Sequence, residues 1–275
     1  MFHQIIKIMV MVYVYILRCK DNSLYCGWTN DLQERVLAHN EGRGGKYTRS
    51  HAPVKLAYYE ICQDKSAALK REIAIKALTK AQKEELIKMN EAFLNFPEIE
   101  TDRLKLRHIA AKDEAAYDEM TYDYDVNNFW ACYKPGERFV HEGKEAPTWE
   151  AQYAEKYRKK SMINWVIADK NTDEFLGEIF LYKFKNKYQA EVGYRLKKAV
   201  WGKGYASEVL KAALDYAFSK MGMKRIEVRC LKGNDASRHV IEKCGFVLEG
   251  TVRNGAIIDI FYDYYLYGML DTDER

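Results

Sequence analysis

The stretch FLNFPEIETDRLKLRHI, residues 93–109, constrains the fold of this chain more than any other. Ahead of it two helical patterns run almost without a break, SAALKREIAIKAL and TKAQKEELIKM. After it, RLKLRHI alternates polar and apolar residues as a strand does. Pro97 lies between them and cannot continue a helix, because it lacks an N–H and its ring collides with the preceding turn. A chain of 275 residues suffices for one large core or two smaller ones. The change of pattern predicts two domains, residues 1–95 and 96–275, joined without a low-complexity linker.

Charge divides at the same place. Residues 1–95 hold 15 Lys+Arg against 10 Asp+Glu, whereas the remainder holds 29 against 30. The positive excess lies wholly in the first part, which favours a polyanionic partner there and none in the second. With 48% hydrophobic and 31% charged residues the chain reads as an ordinary globular protein. Its six cysteines, at 19, 26, 62, 132, 230 and 244, form no C-x-x-C pair, so a zinc or dithiol site is not expected and a reduced, cytoplasmic protein is. The opening MFHQIIKIMVMVYVYIL contains Lys7, lacks a small-residue cleavage site and is too short to span a bilayer. It reads as the approach to a strand, and no membrane partner is expected.

In the first part, VYVYILRC and LYCGW are strands joined by the turn KDNS, and VKLAYYEIC is a third. Asn30 and Gln33 suit a capping box for the helix that follows, Ser66 a cap for the next, and Thr79 with Gln82 a box for the last. If Leu32 and Val36 mark the buried stripe of the first helix, Arg35 and His39 flank it one turn apart. Glu72 follows Leu69 by the same three residues in the second helix. Tyr15 and Tyr25 sit on the two hairpin strands. A guanidinium for a phosphate, a carboxylate for a hard cation and phenols near a water are the parts phosphodiester hydrolysis needs. The loop EGRGGKYTRSHAPVK adds Arg43, Lys46, Arg49 and Lys55 around Tyr47 and His51, a mixture suited to a nucleic-acid backbone and its bases.

The ordered set YVY at 13–15, YCG at 25–27, LQERVLAHN at 32–40, GKYTRSHAPVKLAYYE at 45–60 and ALKREIAIK at 68–76 resembles the GIY-YIG endonuclease family, in its small stand-alone form. Tyr13, Val14 and Cys26 stand where the motifs have Gly, Ile and Ile. The resemblance implies that Tyr15 orients or deprotonates the attacking water with support from Tyr25. It implies Arg35 at the phosphate, Glu72 on Mg²⁺ or Mn²⁺, and His39 as a supporting or proton-transfer partner.

In the second part, INWVIADKNTDEFLGEIFLYKF reads as a hairpin, AEVGYRL, RIEVRCL and FYDYYLYGML as strands, and DASRHVIEKCGF as a short helix. WGKGYA, residues 201–206, opens an amphipathic helix that Gly222 closes. Glycines there let backbone approach a ligand, and N–H groups at a helix N-terminus favour a pyrophosphate. AEVGYRL, WGKGYASEVL, GNDASRHVIEKCGF and EGTVR, with RLKLR at 103–107 as the opening strand, resemble the GNAT acetyltransferase superfamily, in the branch that acetylates ribosomal-protein N-termini. The pattern Q/R-x-x-G-x-G/A falls on Trp201, Gly204 and Ala206, with Trp201 replacing a polar residue.

The second resemblance implies acetyl transfer from acetyl-CoA to an amine. Backbone of Gly202, Lys203, Gly204, Tyr205 and Ala206 would hold the pyrophosphate beside Trp201. The main chain of Tyr194, Arg195 and Leu196, splayed from its neighbour, would hold the pantetheine. Asn234 and Ser237 fit N-x-x-S near the thiol, with Ser237 as an acid for the thiolate, and Glu191 is the candidate base, with an exposed strand carboxylate as its alternative. YDYDVNNFWACYKPG at 122–136 is expected to line the amine pocket.

The expected fold class is therefore α/β (α+β) in two domains: a small three-stranded sheet with flanking helices, then a mixed, splayed sheet with helices on both faces. The expected function is bifunctional. The alternatives are an acetyltransferase carrying a non-cleaving nucleic-acid module, and a non-enzymatic adaptor.

Overall fold

The computed structural model describes residues 11–91, 93–130, 147–186, 188–257 and 261–273. Most of the opening segment, and residues 131–136 of the expected amine-pocket stretch, lie outside the described residues. Two compact units meet between Asn95 and Phe96.

The first unit is built on strands β1 (Val12–Arg18), β2 (Leu24–Thr29) and β3 (Lys55–Cys62), ordered β2-β1-β3 and antiparallel throughout. Strand alternation sends successive side chains to opposite faces and so creates two cores. Val12, Val14, Ile16 and Cys26 face Ala68 and Ile75 of helix α3 (Lys65–Ala77) and Leu86 and Ile87 of α4 (Lys80–Glu91). Tyr15 and Leu17 face the other way, onto Tyr59, Tyr25 and the Leu32 and Val36 side chains of α1 (Leu32–Asn40). A five-residue helix α2 (Lys46–Ser50) follows.

The helix starts differ from expectation in two places. Asp31, not Asn30, caps α1 and accepts the Glu34 N–H at 3.0 Å. The Thr29 hydroxyl fixes that turn, accepting the Asp31 N–H at 3.1 Å and donating to its carbonyl at 2.9 Å. Asp64, not Ser66, caps α3 through the Ala67 N–H at 2.8 Å, and its charge also suits the positive end of the helix dipole. The Thr79–Gln82 box forms, at 2.9 and 3.2 Å. The buried stripe of α3 also shifts: Leu69 and Ile73 are 39% and 68% exposed, while Ala68 and Ile75 are fully buried. Glu72 therefore lies on the packed side of the helix, one turn from each.

The second unit holds an eight-stranded sheet ordered β10-β11-β9-β8-β7-β6-β5-β4. Its strands are β4 (Ile99–Glu100), β5 (Leu104–Arg107), β6 (Met162–Asp169), β7 (Phe175–Lys185), β8 (Gln189–Leu196), β9 (Arg225–Leu231), β10 (Val247–Ile257) and β11 (Phe261–Leu270). All neighbours are antiparallel except β8 and β9, which pair in parallel only through Gln189–Arg225, Ala190–Ile226 and Glu191–Glu227. Beyond Glu191 the two strands part.

Helices α5 (Glu114–Tyr122) and α7 (Trp149–Arg158) cover one face, where Tyr117 and Tyr153 pack on Val166, Ala168 and Phe175. The short α6 (Tyr124–Asn127) follows α5. The other face carries α8 (Tyr205–Asp215), extended by a π turn over Tyr216–Lys220, and α9 (Asp235–Lys243). There Tyr216 packs edge-on to Trp165 and Tyr194 meets Ser237. Gly222 ends the long helix with φ +71°, as expected of a left-handed stop.

One buried polar network ties β8 to the first helical layer. The Arg195 guanidinium bonds the Glu178 carboxylate and, at 2.7 Å, the Asn127 side-chain oxygen. Glu178 also accepts from the Tyr117 hydroxyl and from Asn164 at 2.7 Å. Burial alone would disfavour the charge on Arg195, but Glu178 outweighs it and holds the guanidinium ionised. An ion pair this enclosed costs about 3–5 kcal/mol to break by removing one partner, because the other charge stays buried. Arg195→Met is expected to lower the urea midpoint reported by Trp149 and Trp165 fluorescence, and Arg195→Met with Glu178→Leu to recover part of the loss.

Candidate active sites

In the first unit the hairpin and α1 gather four of the expected side chains. Tyr15 lies opposite Gly27 in the β1–β2 ladder, and a Cβ at residue 27 would stand 2.6 Å from the Tyr15 oxygen. Glycine there is required for the phenol to lie across β2. The Tyr15 hydroxyl oxygen accepts from Arg35 Nε at 3.1 Å and lies 2.9 Å from His39 Nε2. His39 Nδ1 is 2.6 Å from the Thr48 hydroxyl, which donates to the Gly45 carbonyl at 3.2 Å. The Tyr25 ring meets the His39 ring edge-on, 5.0 Å between centroids. Tyr15, His39 and Thr48 are fully buried.

Burial disfavours the phenolate and pushes the Tyr15 pKa up to about 12, against the pull of the Arg35 charge. Burial, then Arg35, pushes His39 down to about 4, so its imidazole is neutral near pH 7. Bonding to Tyr15 raises Arg35 further.

Glu72 makes no direct contact with these four side chains. Helix α3 packs on the other face of the sheet from α1, but Glu72 stands beside β2, where its charge is felt by Cys26, and its partner Lys76 is near enough to feel Tyr25. Its carboxylate pairs with Lys76 at 2.7 Å, and its side chain is 14% exposed. Among the described residues no three His, Cys, Asp or Glu side chains are gathered as a metal group. One half-sheltered carboxylate suits a hard cation that keeps most of its waters and takes its remaining oxygens from a phosphate.

The basic loop forms α2 and its flanks. Tyr47 stacks on His51 at 4.2 Å with 11° between the rings, and Tyr47 is 45% exposed. Arg43 is paired with Glu34 and Glu41, and Arg49 donates to the Gly42 carbonyl at 2.9 Å, so these two cations are partly committed.

In the second unit the turn Trp201–Gly204 delivers the chain to the N-terminus of α8. Gly202 and Gly204 have φ of +73° and +78°, the left-handed region that favours glycine. Gly204 is the N-cap and supplies no side chain to the first N–H groups of the helix, which extend through Tyr205 and Ala206. Trp201 turns its indole N–H to the Leu196 carbonyl at 2.8 Å, pinning the turn to the end of β8. Lys203 contributes its carbonyl, which accepts from Arg103 Nη1 at 2.9 Å. Arg103 in turn is held by Glu208 at 2.7 Å and covers the Tyr205 ring at 4.6 Å.

The N-x-x-S pair has a structural job as well. Asn234 caps α9 by accepting the Ser237 N–H at 3.1 Å, and the Ser237 hydroxyl lies 3.0 Å from the Tyr194 hydroxyl. Burial raises the Tyr194 pKa. Glu191 is only 1% exposed, so it is not the exposed strand carboxylate that was its alternative. Lys183 at 3.0 Å and Arg229 at 2.8 Å hold it at the last paired step before β8 and β9 part. Its side chain points to the α5/α7 face, as Arg195 does, and Tyr194 and Ser237 occupy the other.

Thr48, Gly44 and Arg103 are the participants that sequence reasoning missed. A Cβ at Gly44 would stand 2.3 Å from the His39 ring, so the signal was the Gly-Gly pair ahead of a short helix. Arg103 lies about a hundred residues from the turn it braces, and no local pattern marks it.

A family model for the GIY-YIG catalytic domain matches residues 11–85, and one for the acetyltransferase (GNAT) domain matches residues 103–247. A UPF0213 protein of Clostridium perfringens is 58% identical over 77 residues, 28% of this chain and 83% of its own length. An uncharacterized N-acetyltransferase, YoaA of Bacillus subtilis, is 33% identical over 165 residues, 58% of this chain and 87% of its own. The crystal structure of spermidine N-acetyltransferase from Vibrio cholerae, in complex with CoA and spermine, superposes with a TM-score of 0.54 at 22% identity, covering 62% of this chain and 98% of that one. The chain thus belongs to the GNAT acetyltransferase family through its second unit and carries a GIY-YIG catalytic domain as its first.

Proposed function

We propose that the second unit transfers the acetyl group of acetyl-CoA to an amine and that the first hydrolyses phosphodiester bonds of a nucleic acid. The observation that carries the first half is the splay beyond Glu191 beside the uncapped N-terminus of α8. Its residues fit the cofactor. Backbone N–H groups of residues 202–206 would take the pyrophosphate, where a helix N-terminus favours negative charge. The edge of β8 that β9 leaves at Tyr194, Arg195 and Leu196 would take the pantetheine, with the Leu196 carbonyl already held by the Trp201 indole N–H. When bound, acetyl-CoA supplies the activated acyl group. Glu191 would accept the amine proton through a water, and Ser237 with Tyr194 would return a proton to the thiolate. The amine is a protein N-terminus or a small-molecule amine. The domain boundary at residues 95 and 96 belongs to the same reading, each activity being carried by its own unit.

For the first unit the carrying observation is the convergence of Tyr15, Tyr25, Arg35 and His39. Tyr15 would take the proton of the attacking water, supported by Tyr25, and Arg35 would meet the charge that grows on the phosphate. Glu72 would hold Mg²⁺ or Mn²⁺, which when bound supplies positive charge at the phosphate. The basic loop with Tyr47 and His51 would track the backbone. A cytoplasmic setting belongs to the same reading, supported by the free cysteines among the described residues, Cys19, Cys26, Cys62, Cys230 and Cys244. No helix among the described residues is long and apolar enough to cross a membrane.

Gly204→Val is expected to weaken CoA binding to the full chain at least about tenfold by calorimetry, since a branched side chain would strain a left-handed position beneath the pyrophosphate. Unchanged affinity would refute the cradle. Arg35→Ala is expected to lower nucleic-acid cleavage about 10²-fold while metal binding persists, the scale of one lost charge-stabilising donor. Glu72→Gln is expected to lose the response to added Mg²⁺ or Mn²⁺. Equal cleavage by wild type and both variants would trace the activity to a contaminant, and none by the wild type on duplex, branched or single-stranded forms would favour a binding module.

A further inference from the structure

The bond between Tyr15 and His39 has a direction, and the groups at its two ends fix it. Arg35 Nε–H only donates, so the Tyr15 oxygen accepts at that contact, 3.1 Å. The Tyr15 hydroxyl hydrogen then needs an acceptor, and among the described side chains His39 Nε2 at 2.9 Å is the one beside it. At the far end the Thr48 hydroxyl donates to the Gly45 carbonyl at 3.2 Å, which leaves its oxygen to accept from His39 Nδ1 at 2.6 Å. Both ends place the imidazole hydrogen on Nδ1. The reverse arrangement would leave the Gly45 carbonyl with the Arg49 N–H alone, at 3.1 Å, and, more costly, the Tyr15 oxygen accepting two hydrogens while its own had no partner.

We infer that Thr48 is a positioning residue, whose hydroxyl, braced by the Gly45 carbonyl, holds His39 in the Nδ1–H tautomer and keeps Nε2 as the acceptor for the Tyr15 proton. The catalytic consequence rests on the phosphodiester-hydrolysing reading of this unit. The water oxygen bonds to phosphorus as its proton passes to the Tyr15 oxygen, and the Tyr15 proton passes to His39 Nε2. The bond from phosphorus to the leaving oxygen breaks, that oxygen takes a proton from solvent, and the imidazolium returns one to solvent. Tyr15 thus passes a proton on without being held as a phenolate, which its burial opposes. The groups facing the imidazole are Tyr15 from β1, Tyr25 from β2, Arg35 from its own helix and Thr48 from α2. None is an anion that would hold an imidazolium before the reaction begins. The serine-protease triad, where a carboxylate orients the catalytic imidazole, shows that choosing its tautomer is a large catalytic factor.

The test is nitrogen NMR of the full-length protein labelled at histidine, with His39 assigned by the signals lost in His39→Gln. The wild type is expected to show a protonated, pyrrole-type Nδ1 and a bare, pyridine-type Nε2. Thr48→Val should move hydrogen to Nε2, and Thr48→Ser should restore the wild-type pattern. If the unit cleaves nucleic acid, Thr48→Val should lower kcat about 10²-fold with KM little changed, and Thr48→Ser should recover it. A wild type protonated at Nε2, or a Thr48→Val spectrum identical to wild type, would overturn the inference even if cleavage is robust. Absence of cleavage by the wild type would overturn the hydrolytic reading alone, since the nitrogen shifts still decide the role of Thr48.

Discussion

Three residue pairs of parallel ladder hold β8 to β9, and the second unit is organised around where that ladder stops. A parallel connection must cross over through a helix, and α8 is that crossover, so its N-terminus arrives at the end of β8 as a matter of topology. The strand edge freed beyond Glu191 and the uncapped helix start are thus one feature seen from two sides. The buried Arg195–Glu178 pair makes the separation durable. It fastens β8 to β7 and to the α5 layer, so the strand does not need β9 to stay in place.

The first unit solves a different problem with a similar economy. Its three strands are too few to bury both faces alone, and helices close each side. One face becomes an ordinary apolar core. The other accepts phenols, an imidazole and a hydroxyl, and remains stable because each buried polar atom there has a partner. The two glycines against which Tyr15 and His39 rest mark how little space is spared.

Much of this was legible in the sequence, for identifiable reasons. RIEVRCL, which alternates, declares both itself and its buried face, VYVYILR declares itself by its β-branched and aromatic content, and the Thr79–Gln82 box declares its helix start. Tyr15, Tyr25, Arg35 and His39 could be brought together because each sits on an element whose period fixes its direction. The failures have a common cause. Asn30 and Asp31 are equally good caps by type, and only the Thr29 hydroxyl, through the turn it sets, chooses between them. Leu69 looks like a core residue until the crossing of α3 over β1 and β2 assigns the buried side to Ala68 and Ile75. Helices α5 and α7 went unread because their buried residues include tyrosines that serve a polar network, which blurs the apolar stripe. Arg103 bracing Lys203 is a contact between distant segments, which no window on the sequence contains.

The ends of the large sheet carry a last consequence. A strand at a sheet edge offers unpaired N–H and C=O groups to any passing chain, and Val247 and Leu248 on β10 are 58% and 46% exposed. Yet β10 keeps no even register: it slips against β11 between Leu248 and Gly250 and again between Val252 and Ala256. At the opposite end β4 is two residues long. An edge that changes register twice and an edge too short to template a ladder both resist growth by strand addition. The sheet can leave sticky side chains at its border without inviting aggregation, because what a second chain would need there is a regular backbone to copy.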